Sequence, residues 1–195
     1  MLSRSFEGLF TLLVIGGLSA CVGPGVSNKK SDMMESELKV YMQRGQQEAL
    51  ELKTKLVGEL SKGLKEGGPV KAIAVCKDRA EEVTAQAAKK GVRMGRTSWK
   101  LRNVNNKGEP WMEDLLKEWQ TTRLNTPAAA RVVVLANGRI GYAEPLYTMP
   151  LCVNCHGQNL KPEVAQQIKK LYPDDQATGF HAGDLRGLLW VEFSR

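Results

Sequence analysis

Apolar side chains recur every three or four residues along two stretches of the N-terminal half of the chain. In the first stretch, from about residue 32 to residue 64, these positions are Ala49, Leu52, Leu56, Val57, Leu60 and Leu64. In the second stretch they are Val70, Ile73, Ala80, Val83 and Ala87, with Cys76 in register. This period is typical of amphipathic helices, and the Gly67-Gly68-Pro69 sequence between them stops one helix and opens the next. The pattern therefore predicts a long N-terminal helix followed by a shorter one.

The C-terminal half carries patterns typical of strands. Residues 131–136 and 139–147 are rich in Val, Ile and Tyr and flank Asn137-Gly138, which is a strong signal for a two-residue hairpin turn. Partial alternation at residues 92–102 predicts a strand that runs into a loop, and a β-rich run at residues 185–193 predicts a final strand. We therefore expect an antiparallel sheet in this half of the chain.

Two helices are predicted between these strands. Glu109-Pro110 opens the first, in which Trp111, Leu115 and Trp119 are spaced by four residues and form one ridge. The second covers residues 162–171 and begins at a proline. Helices around an antiparallel sheet define an α+β domain.

The N-terminus has the features of an export signal. The apolar run at residues 9–18 is too short to span a bilayer but suits the core of a signal peptide. It ends in Leu18-Ser19-Ala20-Cys21, which resembles a bacterial lipobox with Cys21 as the lipidated residue. We therefore predict a signal peptide at residues 1–20, a lipidated cysteine and flexible tether at 21–31, and one domain at 32–195. This places the protein on the periplasmic face of a bacterial membrane as an exported lipoprotein.

The charge balance narrows the classes of partner. The chain has 28 basic and 21 acidic residues, giving a net charge of +7. Basic residues are spread among acidic ones along the predicted helices, and aromatic residues are not interleaved with them as in a nucleic-acid groove. We expect no nucleic-acid partner, whereas an acidic redox partner or an anionic membrane is compatible with the excess.

The strongest chemical signal is the pair Cys152 and Cys155 with His156 directly after it. This C-x-x-C-H spacing is the attachment site of a covalent c-type haem, in which each thiol forms one thioether and the histidine binds the iron. Half of a zinc site and a thioredoxin-like redox pair are the alternatives, but neither explains the adjacent histidine. The sequence therefore predicts one covalently bound haem c.

The second ligand of the iron is less constrained by the residues themselves. Cys76 is the cysteine left over once Cys21 is assigned to lipid and two thiols to haem, and an exported lone thiol is either a buried small hydrophobe or a ligand. His181, a methionine and a vacant position are the other choices. The helical periodicity alone does not show which of these four choices is the second ligand of the iron.

Several separated motifs together carry a family resemblance. They are Ala72-Ile73-Ala74-Val75-Cys76, Arg96-Thr97-Ser98 with Arg102-Asn103, the Cys-x-x-Cys-His-Gly at 152–157, Tyr172-Pro173-Asp174 with Ala177-Thr178-Gly179, and Gly183-Asp184-Leu185-Arg186-Gly187. In this order they resemble the single-haem c-type proteins with a PAS-like core, which occur alone or as sensor modules of signalling proteins. The resemblance implies a PAS-like sheet with flanking helices and a haem iron bound by a histidine and a cysteine. On this chain those ligands are His156 and Cys76.

A haem brings two propionates, which must be solvated or paired with cations. Arg96, Lys100 and Arg102 form the densest basic cluster near these motifs and are the candidate partners. Arg186 is expected to pair with Asp184 or another acidic residue of the same loop.

Two functions fit this sequence. The first is one-electron transfer to an unidentified redox partner protein, and the expectation that no output domain follows the last strand favours it. The second is sensing of redox state or of small gases such as CO or NO, which would bind if the distal ligand dissociated. An enzyme such as a peroxidase is not expected, because it needs an open iron and a distal acid-base group.

Overall fold

A four-stranded antiparallel sheet forms the centre of the fold, with the strand order β1-β4-β3-β2. The strands are β1 (Val92–Thr97), β2 (Arg131–Val134), β3 (Ile140–Tyr147) and β4 (Leu185–Phe193). The helices are α1 (Lys29–Ala87), α2 (Pro110–Thr121), α3 (Val153–His156) and α4 (Pro162–Leu171). This computed structural model describes residues 29–88, 91–121, 128–136 and 138–194, with the side chains of α1 from residue 34 onward. The α+β class predicted from the sequence is confirmed, and the PAS-like assignment stays a prediction.

The strands lie where the alternation predicted them, although β2 ends at Val134, two residues earlier than predicted. The hairpin is confirmed, since β2 and β3 pair antiparallel up to Val134 opposite Ile140. Residues 92–102 form a strand that runs into a loop, as predicted, because β1 ends at Thr97 and the chain then leaves the sheet. β1 pairs with β4, so the first and last strands are neighbours.

Helix α1 contains a sharp break at the glycine pair predicted to stop it. Gly67 has φ −171° and ψ 29°, and Gly68 has φ 65°, a left-handed conformation that favours glycine. After the break the chain runs back along itself: a Cβ added to Gly63 would lie 2.8 Å from the Cα of Ala72, and Arg79 Nε lies 3.7 Å from Glu59 Oε2. We call residues 29–66 the first arm and residues 69–87 the second arm of this helical hairpin.

The N-terminal predictions lie mostly outside the described residues. The signal peptide at residues 1–20, Cys21 and the tether up to residue 28 are not described. Helix α1 already begins at Lys29, within the last three residues of the segment predicted as tether. In the part of the chain that the structure describes, no helix is both long enough and apolar enough to cross a membrane.

Apolar side chains fill the space on both faces of the sheet. On one face, α1 packs on the strands in a core of Ala49, Leu52, Val83, Ala87, Val92, Met94, Ile140, Tyr142, Leu189, Val191 and Phe193. On the other face, α2 contributes Met112, Leu115, Leu116 and Trp119, which pack with Ala143, Leu185 and Leu188. The predicted ridge of α2 is therefore core packing, and its Trp111 Nε1 also donates to Glu192 Oε1 at 3.1 Å.

A third, smaller core joins α4 to the second arm of α1. Its buried members are Ile73, Val164, Ile168 and Tyr172, and Cys155 packs against them. This contact connects the end of the chain that carries the Cys-x-x-Cys-His segment to the arm that carries Cys76.

Candidate haem site

A cavity of about 670 Å³ lies between the second arm, the end of β1 and the Cys-x-x-Cys-His segment. Its volume is within the range of roughly 300–1,000 Å³ that is usual for cofactor sites. The residues predicted from the sequence that line it are Cys76, Arg96, Arg102, Cys152, Cys155 and His156. The fold therefore brings together six candidate site residues from separated parts of the chain.

The Cys-x-x-Cys-His segment folds as one tight turn. A 3-10 turn at Pro150–Cys152 continues into α3, so that Cys152 and Cys155 lie three positions apart on one helical surface. The turn closes at Gly157, whose backbone N–H donates to Val153 O at 2.9 Å. A Cβ at position 157 would lie 2.5 Å from that carbonyl oxygen, so this position needs glycine. Both thiols are free.

The imidazole of His156 is held in one orientation by a backbone carbonyl. Its Nδ1 lies 2.8 Å from Ala177 O, and because a carbonyl only accepts, Nδ1 carries the hydrogen and Nε2 keeps a free lone pair. Burial, helped by the positive charges of Arg102 and Arg186, lowers the pKa of His156 to about 3. The ring is therefore neutral at physiological pH, which is the form that binds iron.

Arg102 ties the loop after α4 to the Cys-x-x-Cys-His segment. Its Nε donates to Asp175 Oδ1 at 3.0 Å, and its Nη2 donates to Cys155 O at 2.6 Å and to Ala177 O at 3.2 Å. Asp175 Oδ1 also accepts from the backbone N–H of Ala177 at 3.0 Å. We call Arg102, Asp175 and Ala177 the clamp, since together they fix the carbonyl that orients His156.

Backbone hydrogen bonds reinforce this arrangement. The N–H of Phe180 donates to His156 O at 2.9 Å, and the N–H of Gly179 donates to Gly157 O at 3.0 Å. The loop after α4 thus pairs with the segment like a short strand. Nothing in the periodicity of the sequence indicated this pairing, because its acceptors are main-chain carbonyls.

Cys76 lines the same cavity from the second arm and is half-buried. Burial raises the pKa of its thiol, while the charges of Arg96 and Arg102 act in the other direction. Of the choices for a second ligand, the fold brings Cys76 and one methionine, Met94, to the cavity of His156. Met94 also belongs to the core between α1 and the sheet.

Two other predicted site residues lie elsewhere. Lys100 does not line the cavity: its Nζ donates to Thr178 O at 3.2 Å and lies 5.3 Å from the ring centroid of Phe180. His181 is exposed outside the cavity, with its Nδ1 3.4 Å from Asp184 Oδ2. The placement of these two side chains gives no support to the roles predicted for them.

Arg186 lines the cavity, whereas its sequence context predicted pairing with an acidic residue of its loop. Its Nη1 donates to Ser98 Oγ at 2.9 Å and to Lys100 O at 3.1 Å, and its guanidinium lies over the ring of Phe180. Burial, with the neighbouring charges of Arg102 and Arg96, lowers the pKa of Arg186 to about 10. No local sequence signal distinguishes it from a surface arginine.

These residues fit a covalent haem better than a bare metal ion. Within the described ranges, no three His, Cys, Asp or Glu side chains come together to hold a metal ion. The cavity instead offers two thiols for thioethers, a neutral imidazole, a second sulfur and buried arginines for carboxylates. The two thiols suit the vinyl groups of a haem, the imidazole and the second sulfur suit its iron, and the arginines suit its propionates.

Comparison with known proteins gives the family. The sequence model of the Tll0287-like family matches residues 26–194. The chain is also similar to the solved structure of the cyanobacterial heme-protein Tll0287, with 26% identity and a TM-score of 0.56, covering 75% of this chain and 91% of that one. No curated protein matches the chain. Since the family match extends over most of the sequence, the chain belongs to the Tll0287-like family.

Proposed function

We propose that this protein is a membrane-anchored, periplasmic c-type cytochrome that carries one covalent haem and transfers single electrons. The observation that carries the proposal is the cavity shared by Cys152, Cys155, His156 and Cys76. The similarity to a solved heme-protein supports it further. We extend the proposal to a PAS-like core for the antiparallel sheet.

Each cavity residue has a distinct part in this proposal. Cys152 and Cys155 form the two thioethers, His156 is the proximal ligand, and Cys76 is the second ligand. A bound haem supplies a one-electron couple whose potential depends on its axial ligands and burial. The clamp keeps the His156 ring oriented, as the 2.8 Å contact of Nδ1 with Ala177 O indicates, and burial keeps the ring neutral.

The pair of candidate iron ligands favours electron transfer over catalysis. Apolar side chains from both arms, including Leu56, Leu60 and Ile73, line part of the cavity that holds this pair. If His156 and Cys76 both bound the iron of a haem, no position on the iron would be left for a substrate. We therefore propose a carrier rather than an enzyme, with an unidentified redox protein as partner.

The location of the protein is proposed from its sequence. The lipobox-like Leu18-Ser19-Ala20-Cys21 supports lipidation at Cys21, and residues 22–28 then connect the lipid to the start of α1. Haem attachment to a Cys-x-x-Cys-His segment takes place after export, which agrees with this location. The anchor would keep the cytochrome close to membrane-bound partners.

One observation favours a sensor as the second candidate. Burial raises the pKa of the Cys76 thiol, so a Cys76 that is not bound to iron holds a proton rather than a buried charge. A ligand that is stable in this released form leaves one face of the iron accessible to CO or NO. Signalling would then pass through a separate partner protein.

The test is to express the full chain together with haem-attachment enzymes and to titrate the purified protein by absorption and EPR spectroscopy. We expect covalent haem that remains after acidic acetone extraction and one reversible one-electron transition. A protein that matures without covalent haem would contradict the cytochrome assignment. Binding of CO to the reduced protein would favour the sensor over the simple carrier.

A further inference from the structure

Four arginines line the cavity, and three of them, Arg96, Arg102 and Arg186, differ in how their hydrogen-bond donors are used. A guanidinium has five N–H groups in a rigid fork. Arg102 directs its Nε and Nη2 groups to Asp175, Cys155 O and Ala177 O. It is therefore committed to the protein and has a carboxylate of its own.

Arg186 is only partly committed. Its Nη1 group donates to two neutral oxygens, Ser98 Oγ and Lys100 O. Its Nε and Nη2 groups have no acceptor among the described residues. These two groups form the side of the fork that binds a carboxylate in bidentate fashion.

Arg96 has no hydrogen bond or salt bridge to any residue in the ranges that the structure describes. It lies on β1 and lines the cavity. Burial lowers the pKa of its guanidinium, opposed by the nearby Cys76 and Tyr172. A half-buried cation without a counter-ion is costly unless a ligand supplies the negative charge.

The acidic residues of the cavity wall do not neutralise these two arginines. Glu59 lies 3.7 Å from Arg79, and Glu81 accepts from Asn103 at 2.7 Å. Arg93, another cation on the wall, pairs with Glu109 at 2.6 Å. Among the described residues, neither Arg96 nor Arg186 forms a hydrogen bond or salt bridge with a carboxylate, and the Asp175 charge that acts on Arg186 is already paired with Arg102.

We propose that Arg96 and Arg186 bind the two propionate carboxylates of the haem, while Arg102 serves only to position the proximal histidine. The inference rests on the proposed function, since it presupposes a haem in this cavity. The two propionates would each pair with an arginine that has no hydrogen-bonded carboxylate. Their negative charges would then offset the positive charges of Arg96 and Arg186. Lys100 has no part in it, because its ammonium group is bound to Thr178 O outside the cavity wall.

The experiment compares Arg96→Met, Arg186→Met and the double variant with Lys100→Met as a control that also removes one positive charge. Covalent haem is quantified first, by the pyridine haemochrome spectrum. Resonance Raman propionate-bending bands and the reduction potential are then measured.

We expect each arginine variant to shift a propionate band and to lower the potential, because a lost cation disfavours the added electron. We expect Lys100→Met to leave the propionate bands unchanged.

The outcomes separate this inference from the proposed function. Wild-type protein without covalent haem would remove the proposed function itself. Arginine variants that keep covalent haem and wild-type propionate bands would overturn the inference alone. If a Met variant does not accumulate, Arg186→Lys and Arg96→Lys keep the charge without the fork and are measured in the same way. A crystal structure of the wild-type holoprotein decides in every case, since guanidinium nitrogens more than 4 Å from both carboxylates would overturn the assignment.

Discussion

The Nδ1 atom of His156 lies 2.8 Å from the carbonyl oxygen of Ala177, and Asp175 holds the backbone of that residue. The orientation of the proximal ring therefore depends on a buried carboxylate that never touches it. Asp175→Asn removes the charge that pairs with Arg102 and weakens the hydrogen bond to Ala177 N.

We predict that Asp175→Asn lowers the free energy of unfolding of the holoprotein by about 1–3 kcal/mol, measured by urea titration. The ferric EPR signal should also broaden, because the ring is less well fixed. Asp174→Asn is the matched control, since Asp174 is exposed and adjacent in sequence. Equal effects of the two substitutions would contradict a positioning role for Asp175.

The thioether assignment predicts a distinct spectral change. Cys152→Ala or Cys155→Ala leaves at most one thioether, so the pyridine haemochrome band should shift or the holoprotein should fail to form. Haem that stays fully covalent through two thioethers in either variant is the result that the assignment does not allow.

The ligand role of Cys76 predicts a low reduction potential that depends on pH. A thiolate stabilises ferric iron, so the potential should lie well below that of Met/His cytochromes. Because burial raises the pKa of the Cys76 thiol, a sulfur released on reduction takes up a proton. The potential should then fall by about 59 mV for each unit by which the pH rises.

Cys76→Ser should raise this potential and remove most of its pH dependence, measured by spectroelectrochemical titration. His181→Ala is the control, because His181 is exposed outside the cavity and should change neither quantity. A high, pH-independent potential that Cys76→Ser leaves unchanged would exclude Cys76 as the ligand. A low potential without CO binding would keep the ligand and favour simple electron transfer.

The helical hairpin of α1 predicts that alanine substitutions at two glycines of the first arm change the stability of the protein in opposite directions. A Cβ at Gly63 would lie 2.8 Å from Ala72 Cα, whereas a Cβ at Gly58 meets nothing within 4 Å. Gly63→Ala should therefore push the arms apart and destabilise the protein by about 1–3 kcal/mol. Gly58→Ala should stabilise it by up to about 1 kcal/mol, because alanine favours the helix.

Thermal and urea unfolding of both glycine variants measures these changes. We also expect Gly63→Ala to alter the absorption spectrum, since the second arm carries Cys76 into the cavity. Destabilisation of the same size in both variants would argue against close packing of the arms.

The lipid anchor is tested by Cys21→Ala. The variant should appear as soluble protein in the periplasmic fraction or fail to mature, while the wild type stays with the membrane after a salt wash. Membrane attachment that survives the substitution would mean that another part of the protein holds it there.

Local patterns were sufficient to predict most elements of the fold. The Asn137-Gly138 turn, the glycine pair before Pro69 and the β-rich run at 185–193 each act through neighbouring residues, and the hairpin, the break and the last strand lie where they indicated. The pairing of β1 with β4 could not be read in this way, because it joins residues at opposite ends of the domain.

The arginines show why part of the site escaped prediction. Arg96, Lys100 and Arg102 look equivalent in sequence, but β1 ends at Thr97 and the following bend turns Lys100 away from the cavity. Arg186 lies opposite an irregularity in the pairing of β3 and β4, at Leu146 and Tyr147, so simple alternation does not give the direction of its side chain. Its contacts with Ser98 Oγ and Lys100 O, seen in the folded structure, fix the position of its guanidinium at the cavity.

Under the proposed function, the strand order of the sheet also limits when haem can be attached. β4 lies between β1 and β3, yet it follows the Cys-x-x-Cys-His segment and Asp175 along the chain. If the chain is exported from its N-terminus, Cys152 and Cys155 reach the periplasm before the strand that completes the sheet. The two thiols would then be accessible to attachment enzymes while the remaining residues emerge, and docking of β4 would end that interval.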